Sequence, residues 1–320
     1  MNQEKSKVPP AINIAGILDE KLREKESSIT PPESKARGVL ALLDTNEKVP
    51  VGFFETIQEK NPDGYIVGVG VGNVFSLLNC FQERNPPRGM VLVDIDPRVV
   101  TIGKILVDSL KQAETPSDFV NDFFGLPKDK LEARIRETIS KEKNVVLRQR
   151  LEKIPSQEWE RTIKAVQGWS FLTPDFKSGV QEKESYDGAM TMINKFDVFR
   201  EMARSNNIAV ICSDFTNLDL IVSIQDLPGF RESRNIIYMS NIVDHIARPQ
   251  GVKFIDVWNK MESLVAYGRE SHKSIFIDTL QNLNYFLRVG YTMPMYEEED
   301  VEFRDVKDRS NAPEGLIFGR

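Results

Sequence analysis

Apolar residues recur along this chain in two rhythms, and the switch between them predicts the architecture. Ile14, Ile17, Leu18 and Leu22 fall at helical spacing, beside a charged run from Asp19 to Lys25. Pro31-Pro32 breaks that pattern. Val39, Leu40, Leu42 and Leu43 predict a second helix, and Phe53 to Lys60 a third, stopped by the turn Asn61-Pro62-Asp63-Gly64. Residues 1–60 therefore read as an N-terminal helical region that serves as a packing layer. The rhythm then changes. Tyr65 to Val69 is a short continuous apolar run, followed by a glycine-rich turn and a helix carrying Val74, Leu77, Leu78 and Phe81. Met90 to Val93 is a second such run, and the helix after it holds Val99, Ile102, Ile105, Leu106 and Leu110. Strands that are apolar throughout, alternating with helices, predict a parallel sheet covered on both faces.

From about residue 116 to 206 the alternation stops. Leu131, Ile135 and Ile139 mark one helix, and Trp159, Ile163 and Val166 another. Met190, Ile193, Phe196, Phe199 and Met202 form a strong stripe on a third. The α/β rhythm resumes at Ile208 to Cys212 and at Asn235 to Met239. A helix at 256–267, a strand at Ser274 to Ile277 and a strand-like segment flanked by Tyr285 and Tyr291 follow. The fold class expected is thus α/β: a doubly wound, Rossmann-like sheet of mostly parallel strands, with an N-terminal helical region and a large helical insertion. The domain reading is 1–60 helical, 61–115 with 207–320 as the Rossmann-like unit, and 116–206 as the insertion, a lid or substrate layer. Within it, Trp169-Ser170-Phe171-Leu172 is the part expected nearest an acceptor, since apolar and aromatic walls are usual in small-ligand sites.

Composition narrows the class. With 320 residues, 40% hydrophobic and 28% charged, the chain has a folded protein's balance. No apolar run approaches the roughly 18 residues of a transmembrane helix, so no membrane span is expected. Met1 to Pro10 is polar with no apolar run after it, so no secretory leader is expected either. Cys80 and Cys212 each lie in an apolar stretch, as reduced core thiols would, which points to a cytoplasmic location. A net charge of −6 argues against nucleic acid as the default partner. Two histidines and two cysteines, far apart, make no zinc-type cluster, so no metal is expected.

The sharpest chemical signal is Val67-Gly68-Val69-Gly70-Val71-Gly72-Asn73, between a strand and a helix. Glycines at alternate positions let backbone turn tightly and approach a ligand with no Cβ in the way, and the following helix aims its N-terminal amides there. Asp94 lies 22 residues beyond Gly72, at the end of the second strand. An acid at that place can accept hydrogen bonds from both hydroxyls of a ribose. Together these point to a nucleoside-type ligand.

The glycine spacing is Gly-x-Gly-x-Gly, with Asn73 where the NAD fingerprint has its third glycine. It resembles the class I S-adenosylmethionine-dependent methyltransferases and the related aminopropyltransferases of the spermidine synthase type. Val91-Leu92-Val93-Asp94-Ile95-Asp96-Pro97-Arg98 resembles their second-strand motif. The resemblance implies S-adenosylmethionine as cofactor. It places Gly68, Gly70, Gly72 and Asn73 around the turn, Asp94 and Ile95 at the ribose, and Asp214 and Phe215 near the adenine. Ser240 stands at the end of the fourth strand, and Asn241, Asp244 and His245 follow it, where that family faces the transferred group. Of these, His245, Asp244 and Tyr238 are the acid–base candidates and Asn241 a hydrogen-bonding one. His272 reads as a surface residue. Two departures stand out. Ile66 occupies the position where most of these methyltransferases carry the acid that holds the methionine amino group, with Asp63 well upstream. About 110 residues separate the second and third strands in place of a short link.

The expectation is an S-adenosylmethionine-dependent transferase, a methyltransferase first, acting on a small-molecule or protein acceptor; no motif encodes an oligomeric state. The alternatives use the same edge of the sheet. One is aminocarboxypropyl or aminopropyl transfer, since the run at 240–244 faintly resembles the family that transfers the aminocarboxypropyl group to diacylglycerol. The other is a non-catalytic Rossmann protein that binds a nucleotide only.

Overall fold

The short apolar runs pair side by side, because a strand buried on both faces must exchange its backbone hydrogen bonds with neighbours. The computed structural model describes residues 11–23, 53–70, 72–167, 188–215, 217–240, 274–278, 286–289 and 317–318. Within these, β1 (Tyr65–Val69), β2 (Gly89–Asp94), β3 (Ile208–Cys212), β4 (Ile236–Ser240), β5 (Ile275–Asp278), β6 (Phe286–Val289) and β7 (Ile317–Phe318) form one sheet. Its order is β3-β2-β1-β4-β5-β6-β7. The neighbours from β3 to β5 run parallel, and β6 and β7 close that side with antiparallel pairings. The chain is a mixed α/β protein whose parallel strands and helices are compatible with a Rossmann-like fold.

Helices cover both faces. On one, α1 (Ile14–Arg23) and α11 (Leu218–Gln225) bury Ile14, Leu18, Leu220, Ile221 and Ile224 against Val67, Val91, Val93, Ala209 and Ile211. On the other, α3 (Gly72–Ser76), α4 (Pro97–Gln112), α9 (Gly188–Asn194) and α10 (Phe196–Arg204) cover Ile66, Met90, Leu92 and Val210. The alternate residues of β1 and β2 thus face opposite cores, as a period of two requires. Helix α2 (Phe53–Gln58) buries Ile57 in this second core, so the two described helices of the N-terminal region lie on opposite faces of the sheet.

Between α4 and β3 the chain forms α5 (Pro116–Phe123), α6 (Lys128–Ser140), α7 (Val145–Glu152) and α8 (Ser156–Gln167), then α9 and α10. The described parts of this stretch are helical, as the stripes predict. They also share one continuous core with the sheet: Phe119, Leu131, Ile135, Leu151, Ile163 and Phe199 belong to the same apolar cluster as Ile66 and Leu92. Phe119 is its aromatic centre, 5.7 Å from Phe124 and 6.2 Å from both Phe123 and Phe196 by ring centroids. Trp169 to Leu172 lies outside the described residues.

Three elements differ from the pattern reading. The stripe from Met190 to Met202 is divided between α9 and α10, because Lys195 leaves the helical backbone at φ −112° and ψ 32°. The helix after the glycine turn is only five residues long before it tightens into a 3₁₀ turn at Leu77–Cys80, with Phe81 extended beyond it. Helix α11 is absent from the pattern reading because Leu218, Leu220, Ile221, Val222 and Ile224 crowd the segment and hide its period. Asn217 caps it, its side chain accepting from the Asp219 N–H at 2.9 Å.

The amino edge of the sheet is pinned by two buried asparagines, each the residue before a strand. Asn235 Oδ1 accepts the Tyr65 N–H at 2.9 Å, while its Nδ2 donates to the Phe230 carbonyl at 2.7 Å and reaches the Ser233 carbonyl and Ser274 Oγ. Asn207 Oδ1 accepts the N–H groups of Ile12 and Asn13 at 3.1 and 3.0 Å. Among the described residues no helix is long and apolar enough to cross a membrane.

Candidate functional site

In an open parallel sheet, ligands sit outside the carboxyl ends of the strands where the winding reverses. That point here lies between β1, which continues to β2 and β3 on one side, and β4, which continues to β5 on the other. The glycine turn leaves β1 at this place. Registers Val69↔Val93, Asp94↔Cys212 and Gly68↔Tyr238 bring the ends of four strands level, so Gly70, Asp94, Asp214 and Ser240 stand along one edge. Asp278, at the end of β5 beside Ser240, is a fifth edge position that the motifs did not single out.

Gly68 and Gly70 do different work. At Gly68 a Cβ would come within 2.7 Å of Val74 Cγ2 and 3.1 Å of Tyr238 Cβ. Its absence lets α3 close onto the sheet. Gly70 has φ +80°, a conformation other residues rarely adopt, and an added Cβ would meet nothing within 4 Å. Among the described residues, the space above Gly70 is open. Its N–H is used, donating to the Val93 carbonyl at 2.9 Å, which ties the turn to β2. Gly72 and Asn73 open α3, whose five residues are too few to give the dipole of a long helix.

Asp94 ends β2 half-buried. One carboxylate oxygen, Oδ1, accepts the Asp96 N–H at 2.7 Å. Removal of water by surrounding protein pushes the Asp94 carboxyl up to about 7, against the pull of that hydrogen bond, and the neighbouring Asp96 charge adds to the rise. Ile95, the next residue, is a large apolar side chain left 37% exposed. Across the register, Ser213 donates its backbone N–H to the Asp94 carbonyl at 3.1 Å, and half-buried Asp214 follows. Phe215 turns inward and is buried in the core of α1 and α11. Cys212 is a buried free thiol, pushed up to about 12 chiefly by burial and then by the Asp94 charge, so it stays protonated and inert.

Tyr238 is buried against Gly68, in the floor beneath the turn. Ile66 is fully buried and belongs to the apolar core, so it offers no polar group to a ligand. Asp63 sits at the opposite, amino end of β1, where its carboxylate accepts the Arg234 N–H at 2.7 Å; it takes no part at the carboxyl edge. Asn241, Asp244, His245 and His272 lie outside the described residues, as do Tyr285 and Tyr291.

One residue stands inside the second-strand motif without a role drawn from the sequence. Arg98, in the first turn of α4, is 3% exposed and lies between Asp96 and Glu158 of α8. An arginine within the otherwise apolar face Val99, Val100, Ile102 was its only trace in the sequence. Elsewhere, a groove of about 850 Å³ runs along β3, walled by α1, α4 and α6. It lies along the β3 side of the sheet, away from the glycine turn.

The family described as "Domain of unknown function (DUF7790)" matches residues 42–282, and the chain belongs to that family. The match takes in both glycine-turn and Asp94 motifs together with the whole helical insertion. No curated protein matches the sequence.

Proposed function

We propose that this member of the DUF7790 family is an S-adenosylmethionine-dependent transferase of Rossmann-like fold, with methyl transfer the favoured reaction and a small molecule or protein as acceptor. One observation carries the reading: an open turn at Gly70 and an acid at Asp94 stand level at the point where the sheet reverses its winding. The nucleoside half of the cofactor fits what is there. Asp94 would present its carboxylate to a ribose hydroxyl, exposed Ile95 would offer an apolar surface to a base, and Gly70 would leave room for the chain between them. The cofactor would supply a methyl group made electrophilic by its sulfonium. The protein's part in such a displacement is alignment and exclusion of water, so no strong base is required of it. Asn241, Asp244 and His245, directly after β4 in the chain, are the proposed acceptor-side residues.

Buried Ile66 favours a second reading, because no acid there holds a methionine amino group. On that reading the edge binds a nucleoside without transfer. Titration calorimetry with S-adenosylmethionine and S-adenosylhomocysteine tests the site itself, and absence of heat with both, on folded protein, would rule the proposal out. Incubation with candidate acceptors separates the reactions. S-adenosylhomocysteine as product means methyl transfer, methylthioadenosine means transfer of the longer aminopropyl or aminocarboxypropyl chain, and retained binding without either product means a nucleoside-binding protein.

A further inference from the structure

Asp96, as the cap of α4, needs only to accept the Arg98 backbone N–H, which it does at 2.9 Å. It does more. The Arg98 guanidinium turns back onto the same carboxylate, with Nε at 3.1 and 3.2 Å from its two oxygens and Nη2 at 2.6 Å. Its remaining arm, Nη1, reaches 60 residues along the chain to Glu158 Oε2 at 2.6 Å. The other oxygen of Glu158 accepts from Arg161 at 2.9 Å. A cluster of this kind, one buried guanidinium between part-exposed carboxylates, is weak evidence for stability, because desolvation of the arginine offsets much of the attraction and the rest is screened. Capping explains neither the fork nor its reach to α8.

What the cluster does hold is the carboxylate of Asp96, and the backbone N–H of that same residue donates to Asp94 Oδ1. We infer that Arg98 and Glu158 are positioning residues for nucleoside binding: they lock the Asp94–Asp96 turn to helix α8, so that the insertion governs the orientation of the carboxylate that receives the ribose. The inference rests on the nucleoside-binding reading of that edge.

Charge follows geometry here. The groups acting on Asp94 lie in its own turn: the backbone N–H groups of Asp96 and Ile95 favour its ionised form and the Asp96 carboxylate opposes it. Across the register the Asp94 charge acts on the Cys212 thiol of β3, which stays neutral. Lys104 of α4 and Arg150 of α7 also act on that thiol, and Gly68 to Gly72 bring no ionisable side chain. Arg98 offsets the Asp96 charge. Without it, two carboxylates two residues apart oppose one another more strongly, and ionisation of Asp94 moves to higher pH.

The test is titration of S-adenosylhomocysteine into the full chain from pH 5.5 to 8.5, for the parent, Arg98→Met, Arg98→Lys and Glu158→Ala. Arg98→Met is expected to weaken binding at pH 7 by about tenfold and to move the midpoint of its pH dependence upward. Arg98→Lys keeps the charge but not the fork. It should restore the midpoint while leaving affinity reduced. Glu158→Ala should weaken binding about threefold with the midpoint unchanged. A folded Arg98→Met that binds with the parent's affinity and midpoint overturns the inference. If that variant does not fold, Glu158→Ala decides: parent-like binding overturns the inference and weakened binding supports it. A parent that binds at no pH removes the nucleoside reading itself, and the inference with it.

Discussion

Protein atoms replace water around the carboxyl of Asp94 and push its ionisation up to about 7, which ties stability, and on the proposed function nucleoside binding, to pH near neutrality. An ionised acceptor holds ribose hydroxyls more strongly than a protonated one. Affinity for S-adenosylhomocysteine should therefore rise as pH increases from 6 to 8, which calorimetry at fixed ionic strength would show; a flat profile would place the ribose elsewhere. Stability runs the other way. The folded pKa lies above the unfolded value, so the contribution of this group is complete below about pH 4 and is lost as pH rises through about 7. Between those values the slope is at most about 1.4 kcal/mol per pH unit. Asp94→Asn keeps an acceptor for the Asp96 N–H and removes the charge. It should be no more stable than the parent at pH 4 and more stable at pH 8, by urea denaturation, while losing nucleoside affinity. A site that ionises against its surroundings gives up stability for binding.

At the scale of elements, the glycine turn shows how far a motif can be read. The spacing of Gly68, Gly70 and Gly72 located the turn, but not why each residue must be small. Gly68 is excluded from growing by Val74 and Tyr238, which arrive from other elements, whereas Gly70 is constrained by its own backbone. The distinction is testable by denaturant unfolding. Gly68→Ala should cost about 1–3 kcal/mol through overpacking, and part of that cost should disappear in a Val74→Ala background. Gly70→Ala should cost about 1–2 kcal/mol through its left-handed conformation, with no rescue from Val74→Ala. Equal coupling of both glycines to Val74 would sink this account. The same division separates what was legible elsewhere. The four strands at 65–69, 90–93, 208–212 and 235–239 were visible as continuous apolar runs, since burial on both faces leaves no room for polar residues. Helix α11 and the break at Lys195 were not. In the first an excess of apolar residues masks the period, and in the second the stripe continues through a change of backbone direction. The role of Arg98 escaped the motif reading because its partner lies 60 residues away, and only the folded chain brings α8 to it.

For the whole molecule, the question is whether the helical stretch between β2 and β3 is a separable lid. Its apolar residues are continuous with those of the sheet, and Phe75 of the glycine helix packs edge-on against Phe199 of α10 at 5.3 Å. A shared core of this kind predicts joint unfolding. Phe119→Ala should cost about 3–5 kcal/mol, and far-ultraviolet dichroism and intrinsic fluorescence should still report one coincident transition. Two separated transitions would mean that the insertion folds by itself. The described helices of this stretch cannot swing as a rigid flap without opening the core beneath them.

The two asparagines at the amino edge carry an implication for how such a chain can change. Asn207 and Asn235 fasten the starts of β3 and β4 through side-chain amides to segments remote in sequence, Ile12 with Asn13 in one case and Tyr65 in the other. Alignment of the strands is thereby decided at the end remote from Gly70 and Asp94. Divergence of such a chain is thereby channelled: on the proposed reading, exchanges at the rim of Gly70 and Asp94 can retune what is bound while the two asparagine anchors keep their place.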